Sequence, residues 1–250
     1  NNKILVLCPH PDDEIFTFPF IKQFSTEKFN VSALFFIENP TRKKEALKSC
    51  SLNNWEAFFA SDFGFLFSDG FIHKNYKELD KIIKKITIQY DIILSPLIEG
   101  GHQDHDTIGF CTAVNSISNS KKRVFFYSTY TAIGKYGLFS VMSQNKFSRN
   151  IFLYKKNNLK ELPVKSLFFM FFVYKSQLLS WLFLLLPYML NVIRNRPARI
   201  YTLNYGKIIN NNQILTKLKN KPLYEIHKRC SKSDWISHIN NFYFTANKTY

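Results

Sequence analysis

Glycine is scarce, at eight in 250 residues, so the chain is neither repetitive nor rich in linkers. Cysteine is sparse too. Cys8, Cys50, Cys111 and Cys230 include no CxxC pair, which argues against a disulfide framework or a thiolate zinc finger. Reduced cysteines suit a cytoplasmic protein. No signal peptide opens the chain, and because Asn1 is not Met the start is expected to be trimmed. Internal repeats and nucleic-acid module signatures are lacking, and the basic residues are scattered in small clusters, so a nucleic-acid partner is not expected. Acidic residues number 18 against 34 basic ones, a net charge of +16 that fits an anionic membrane surface or an anionic substrate. Lysine as the favoured surface residue accounts for the same figure.

What is present is aromatic and apolar. The chain is 46% hydrophobic and carries 26 Phe, enough to build one large domain or a domain with an extension. Strand and helix patterns alternate: strands at 3–8, 31–37, 91–96 and 123–129, helices at 13–26, 41–60 (with Thr41 as cap), 75–89 and 104–118. This predicts an α/β fold with a mostly parallel sheet flanked by helices, whose ligands bind beyond the C-terminal ends of the strands.

Two polar clusters fall at such ends. Pro9-His10-Pro11-Asp12-Asp13-Glu14 follows the first strand, and Glu99-Gly100-Gly101-His102-Gln103-Asp104-His105-Asp106 follows the run Asp91 to Leu97. A strand-to-helix turn needs neither His nor paired carboxylates, so the clusters are expected to share one site. His10 and Asp13, three apart, aim inward from one turn, and His105 supplies a third ligand. Two His and one Asp suit Zn2+ or another divalent first-row ion with an open position for water. Asp12 is placed to take a proton from that water, and His102, if protonated, to stabilise an oxyanion or supply a proton. Asp104 supports His102 or a ligand from behind. Asp12 and Asp104 also suit helix caps.

These residues resemble the PIG-L/LmbE-like family of zinc-dependent N-acetylglucosaminyl deacetylases. Pro11 to Glu14 matches the family's first motif, and His102-Gln103-Asp104-His105 its His-x-Asp-His motif, with Gln103 where Pro is usual. Arg42 and Glu45 resemble its Arg-x-x-Glu, Asp69-Gly70 its Asp-Gly, and Tyr174-Lys175-Ser176-Gln177 its helix ending in Ser-Gln. The resemblance covers roughly residues 3–180. It implies a Rossmann-like fold and hydrolysis of the acetamide of an N-acetylated amino sugar, by water activated between zinc and Asp12. It implies His10, Asp13 and His105 as ligands, Asp12 as base, His102 as electrostatic or acid partner and Arg42 against the sugar or its aglycone; Glu14 and Asp104 are expected beside them in support. Gly100 stands where some members carry a Tyr. The rival readings are a metal-dependent phosphoesterase and a non-catalytic basic protein of membrane surfaces.

The last third differs. Between Ser166 and Ile193 the only charge is Lys175, and Arg194, Arg196 and Arg199 follow at once. A buried or lid helix, a helix lying in the membrane interface and a membrane span all fit, and the expectation is peripheral contact through 166–199, at the inner membrane face. Residues 1–206 read as the deacetylase domain and 207–250 as a basic C-terminal tail. His73, His227 and His238 lie outside both clusters and read as surface or structural histidines. Trp55, Trp181 and Trp235 read as core or interface aromatics.

Overall fold

The run Ile4 to Cys8 has no polar face to offer water, so it belongs inside a sheet covered on both sides. In the computed structural model this is its place. Residues 3–24, 29–117, 123–133, 138–141, 153–158, 164–193, 199–203 and 230–246 are described. Strand β1 (Lys3–Cys8) pairs in parallel with β2 (Asn30–Phe35) on one side and β4 (Ile92–Pro96) on the other. Beyond them lie β3 (Glu56–Phe59) and β5 (Arg123–Tyr127), also parallel. A hairpin of β6 (Tyr130–Ile133) and β7 (Leu138–Val141) stands apart. Strands β8 (Leu153–Asn158) and β9 (Arg199–Leu203) extend the main sheet antiparallel, giving the order β3-β2-β1-β4-β5-β9-β8. The sheet is mostly parallel, as expected. Its antiparallel edge was not foreseen, because β8 reads Leu-Tyr-Lys-Lys-Asn-Asn and shows no apolar run.

The strand order reverses between β1 and β4. A crevice opens at such a switch point, and both polar clusters follow these two strands. Alternate residues of β1 feed two cores: Leu5 and Leu7 one, Ile4, Val6 and Cys8 the other. On the first side pack α3 (Tyr76–Thr87) and α4 (Gln103–Ile117), on the second α1 (Phe18–Phe24) and α2 (Pro40–Leu52). Gly109 lets α4 lie close on β4, since a Cβ there would meet the Pro96 carbonyl oxygen at 2.5 Å.

Two local expectations need correction. The helix expected over 41–60 stops at Leu52, and 56–59 is strand β3. Asn53 and Asn54 end it, with Asn54 left-handed at φ 55°. Its cap is Asn39 rather than Thr41: the Asn39 side chain accepts the Arg42 N–H at 2.9 Å and Pro40 opens the helix. The helix expected over 13–26 begins as a 3-10 turn, Asp13–Thr17, before α1.

The apolar segment forms α5 (Val164–Phe172), a 3-10 turn at Lys175–Gln177 and α6 (Leu178–Ile193). No helix among the described residues is long and apolar enough to cross a membrane. One face is buried through Phe169, Met170, Val173, Tyr174 and Trp181. The other leaves Leu179, Leu182, Phe183, Leu186 and Ile193 exposed at helical spacing, with Phe183 77% exposed. Within 207–250, α7 (Lys232–Ala246) inserts Trp235 and Ile239 into the first core, and the Trp235 indole N–H donates to Thr107 Oγ1 at 2.9 Å. Residues 207–229, His227 among them, lie outside the described residues.

Candidate active site

The two clusters meet. His10 Nδ1, His105 Nε2 and Asp13 Oδ2 form a triangle whose three edges are each 3.3 Å. A tetrahedral ion held at about 2.0–2.1 Å by N and O donors has ligand–ligand edges of about 3.3–3.4 Å. The donor types and the spacing therefore both suit zinc, with the fourth corner free. His10, Asp13 and His105 are each less than 8% exposed, out of reach of bulk solvent.

The surroundings fix these donors. The His10 backbone N–H donates to Asp13 Oδ2 at 2.8 Å, locking the turn. The other ring nitrogen of His10, Nε2, faces Asp69 Oδ1 at 3.1 Å and Asp104 Oδ2 at 3.6 Å. A carboxylate behind a ligating imidazole sets its tautomer and strengthens it as a donor. His105 Nδ1 meets the Thr129 hydroxyl at 3.1 Å. Asp104 caps no helix. Its carboxylate accepts the backbone N–H groups of Gly70 and Ile72, at 2.6 and 3.1 Å, and so fastens the Asp69 loop to the site. Gly70, at φ 80°, holds the left-handed conformation that favours glycine, and a Cβ there would have to displace the Gln103 amide, 2.9 Å away.

Asp12 occupies a left-handed backbone conformation, φ 113°, and its side chain makes no cap bond. Arg42 donates to both Asp12 Oδ1 (3.1 Å) and the Pro11 carbonyl (2.9 Å), placing its guanidinium against the expected base. Burial pushes the Asp12 carboxyl up to about 8, against Arg42 and with the help of neighbouring Asp13. Asp13 behaves oppositely. Burial raises it, but the field of His105 and hydrogen bonds from His10 and His105 outweigh that and hold it well below the carboxylate range. Burial disfavours charge on His10 too, yet its contacts with Asp104, Asp13 and Asp69 raise it. A buried group of carboxylates favours positive charge at its centre, whether proton or metal ion.

His102 Nδ1 accepts the Asp104 backbone N–H at 3.2 Å, so the neutral ring carries its proton on Nε2. Burial and the positive His10 lower its pKa to about 3. The geometry presents a neutral ring whose Nε2–H is the donor. Glu14 accepts the Asp12 N–H at 3.1 Å, the Ser49 hydroxyl at 2.5 Å and the Tyr174 hydroxyl, and burial pushes it up to about 7.

Asp69, Thr129 and Tyr174 are site residues that the sequence did not single out. Asp69 was visible only as part of an Asp-Gly pair, and Tyr174 only as part of a helix end. The Arg-x-x-Glu and Ser-Gln motifs meet: Glu45 accepts the Ser176 N–H (2.8 Å) and hydroxyl (2.6 Å).

The family model of PIG-L, GlcNAc-PI de-N-acetylase, matches residues 5–115, which span both motifs. Over residues 5–115, a little under half of the chain, the sequence is similar to that family. Among curated proteins none matches the chain. Solved structures do, as folds. The zinc-inhibited form of teicoplanin deacetylase Orf2 is 13% identical over 80% of this chain and 96% of its own, with a TM-score of 0.55. The A40926 pseudoaglycone deacetylase Dbv21 is 11% identical over 81% and 97%, at 0.53. A conserved protein from Thermus thermophilus, TT1542, is 14% identical over 80% and 93%, at 0.52. The switch-point crevice is where the two motifs inside the matched residues converge.

Proposed function

We propose that the protein is a metal-dependent N-deacetylase acting on an N-acetylated amino sugar. The observation that carries this is the triangle of His10, Asp13 and His105 beside an elevated Asp12, inside a segment matched by GlcNAc-PI de-N-acetylase. The deacetylase names of two structures sharing the fold agree with it.

The triangle holds one divalent ion, with zinc the best fit to its donors and edges. Such an ion, when bound, supplies Lewis acidity and lowers the pKa of water to about 7. Asp12 removes the proton of the attacking water as its oxygen bonds to the acetamide carbon. His102 donates its Nε2–H to the carbonyl oxygen as negative charge builds there. Asp12 then returns the proton to the nitrogen, the C–N bond breaks, and acetate and a free amine leave. Arg42 aims Asp12. Its Nε, buried and without a partner among the described residues, is the donor left for the sugar or its aglycone. Glu14 and Asp104 hold the turn and the Asp69 loop in place. Residues 1–206 make up the catalytic domain in this reading.

A phosphoesterase would call for a second ion about 3.5–4 Å away. Asp104 and Asp106 are spent on backbone N–H groups and Glu14 on hydroxyls. A second donor set, His10, Asp69, His102 and Asp104, reuses His10 through its opposite ring nitrogen, so the whole imidazole would separate two ions. The test is acetate release across a panel of N-acetylated sugars, with and without chelator. Chelator-sensitive acetate release is expected. Full activity in metal-free protein, or release of phosphate from phosphate esters instead, overturns the reading.

The exposed face of α6 favours an addition: we propose that it meets an anionic lipid surface, bringing the site to a lipid-linked substrate. Five apolar side chains line that face, and the sequence continues directly into Arg194, Arg196 and Arg199.

A further inference from the structure

A second group of metal-binding side chains lies away from the catalytic triangle, where α7 meets the 3-10 turn Ile72–Asn75. His73 comes from that turn, and Cys230, Asp234 and His238 come from the start of α7 and the residues just before it. One donor atom each from His73, Cys230 and Asp234 lies within 4.8 Å of the others. Cys230 Sγ is 3.8 Å from His73 Nε2 and 3.7 Å from Asp234 Oδ2. A tetrahedral zinc with sulfur at about 2.3 Å and nitrogen or oxygen at about 2.0–2.1 Å has S–N and S–O edges of about 3.6 Å. His238 stands one turn on, with Nε2 3.6 Å from Asp234 Oδ1 and its ring edge-on to His73 at 5.4 Å.

We propose that His73, Cys230 and Asp234, closed by His238, form a structural zinc site that fastens α7 to the loop carrying Asp69. His73, Cys230 and Asp234 supply S, N and O donors within reach of one another, and His238, one turn on, would have to swing in as the fourth to close a tetrahedral set of the structural kind. His73 is 2% exposed, and the ring nitrogen that it turns to Cys230 is Nε2. Lys74, the nearby positive charge, rests over the Phe71 ring at 4.8 Å. The site has a consequence for the catalytic centre. The same turn presents the Gly70 and Ile72 N–H groups to Asp104, and Asp69 reaches His10, so fixing His73 fixes the support behind a catalytic ligand.

The test is Co2+ titration of chelator-stripped full-length protein, read by absorbance. A sulfur-to-cobalt charge-transfer band is expected in the wild type and in His105→Ala, and not in Cys230→Ser or His73→Ala. As a measurement free of variants, Zn2+ should shield Cys230 of the wild type from iodoacetamide, read by peptide mass spectrometry, and raise the Tm of His105→Ala by ligand linkage. Absence of the band in the wild type, its persistence in Cys230→Ser, or alkylation of Cys230 unaffected by Zn2+ overturns the proposal. Because the readouts follow a thiolate and not acetate release, that failure would leave the catalytic assignment untouched.

Discussion

At Asp12 the fold accepts a conformation it would otherwise avoid. A non-glycine residue at φ 113° costs about 1–3 kcal/mol, and a buried carboxyl lifted to about 8 resists ionisation. Both penalties are borne beside the triangle of His10, Asp13 and His105, where the proposed reaction needs a base. Asp12→Asn keeps the shape and an acceptor for Arg42, so it should retain the metal and lose about 10²–10⁴-fold in turnover. Asp13→Ala should instead lose the metal, as measured by bound zinc after dialysis. If Asp12→Asn lost the metal and Asp13→Ala kept it, the two roles would be exchanged. Asp12→Gly goes further: it removes the backbone strain and the buried carboxyl together, so the protein should gain about 1 kcal/mol in thermal unfolding while activity disappears. A lower Tm would mean that the Arg42 contact outweighs the strain. Residues such as Asp12 were legible because the chemistry is consecutive in the chain. Asp69 and Tyr174 were not, because their partners His10 and Glu14 are 59 and 160 residues away. Nothing in the local pattern around an exposed loop carboxylate or a helix-end tyrosine announces such a contact.

Elements were legible where they are apolar and periodic. The central strands and α3 follow from that pattern, whereas the end of α2 was misread because the aromatic Phe58-Phe59 continues an apolar spacing past the Asn pair that breaks the helix. The connection after β4 shows how elements cooperate at the site. Asp106 of α4 accepts the N–H groups of Glu99 and Gly100 and shapes this loop. Glu99 accepts the Ser128 hydroxyl (2.8 Å) and the Thr129 N–H (2.6 Å) just after β5, and Thr129 in turn meets His105. Burial pushes Glu99 up to about 8 from 4.5. The folded state thus holds a proton that the unfolded chain has released, so this contribution to stability is complete below about 4.5 and lost as pH rises towards about 8. Glu99→Gln can keep both hydrogen bonds, its oxygen taking the Thr129 N–H and its amide donating to Ser128, and it cannot ionise. Over that window the Tm of the wild type should fall relative to Glu99→Gln. Parallel pH profiles for the two proteins would show that Glu99 does not titrate across this range.

For the whole molecule, fold class followed from alternation alone, since strand-helix-strand order admits few topologies. The reversal between β1 and β4 then placed the crevice. The long-range charge balance and the exposed α6 face are what remain to be used. In the fold, α5 and the turn after it are tied to the first motif and its 3-10 turn by Ser166 donating to Ile15 O (2.9 Å) and by Tyr174 on Glu14, and Ser176 ties the turn before α6 to Glu45 of α2. A surface that engages α6 is therefore coupled mechanically to the turn that carries Asp12 and Asp13. Full burial of a Leu or Phe contributes about 1.5–3 kcal/mol, and each basic residue near an anionic leaflet adds about 1 kcal/mol. Partial insertion of Leu179, Phe183 and Leu186 with a few arginines is thus enough for reversible attachment, and the two contributions separate by salt, which screens only the second. The protein should sediment with vesicles containing phosphatidylglycerol, less with pure phosphatidylcholine, and less again at high salt. Leu179→Glu with Phe183→Glu should abolish sedimentation and leave turnover of a water-soluble N-acetylated sugar intact, because neither side chain reaches the triangle. If the wild type stays in the supernatant with anionic vesicles at low salt, the exposed face of α6 serves something other than a lipid surface.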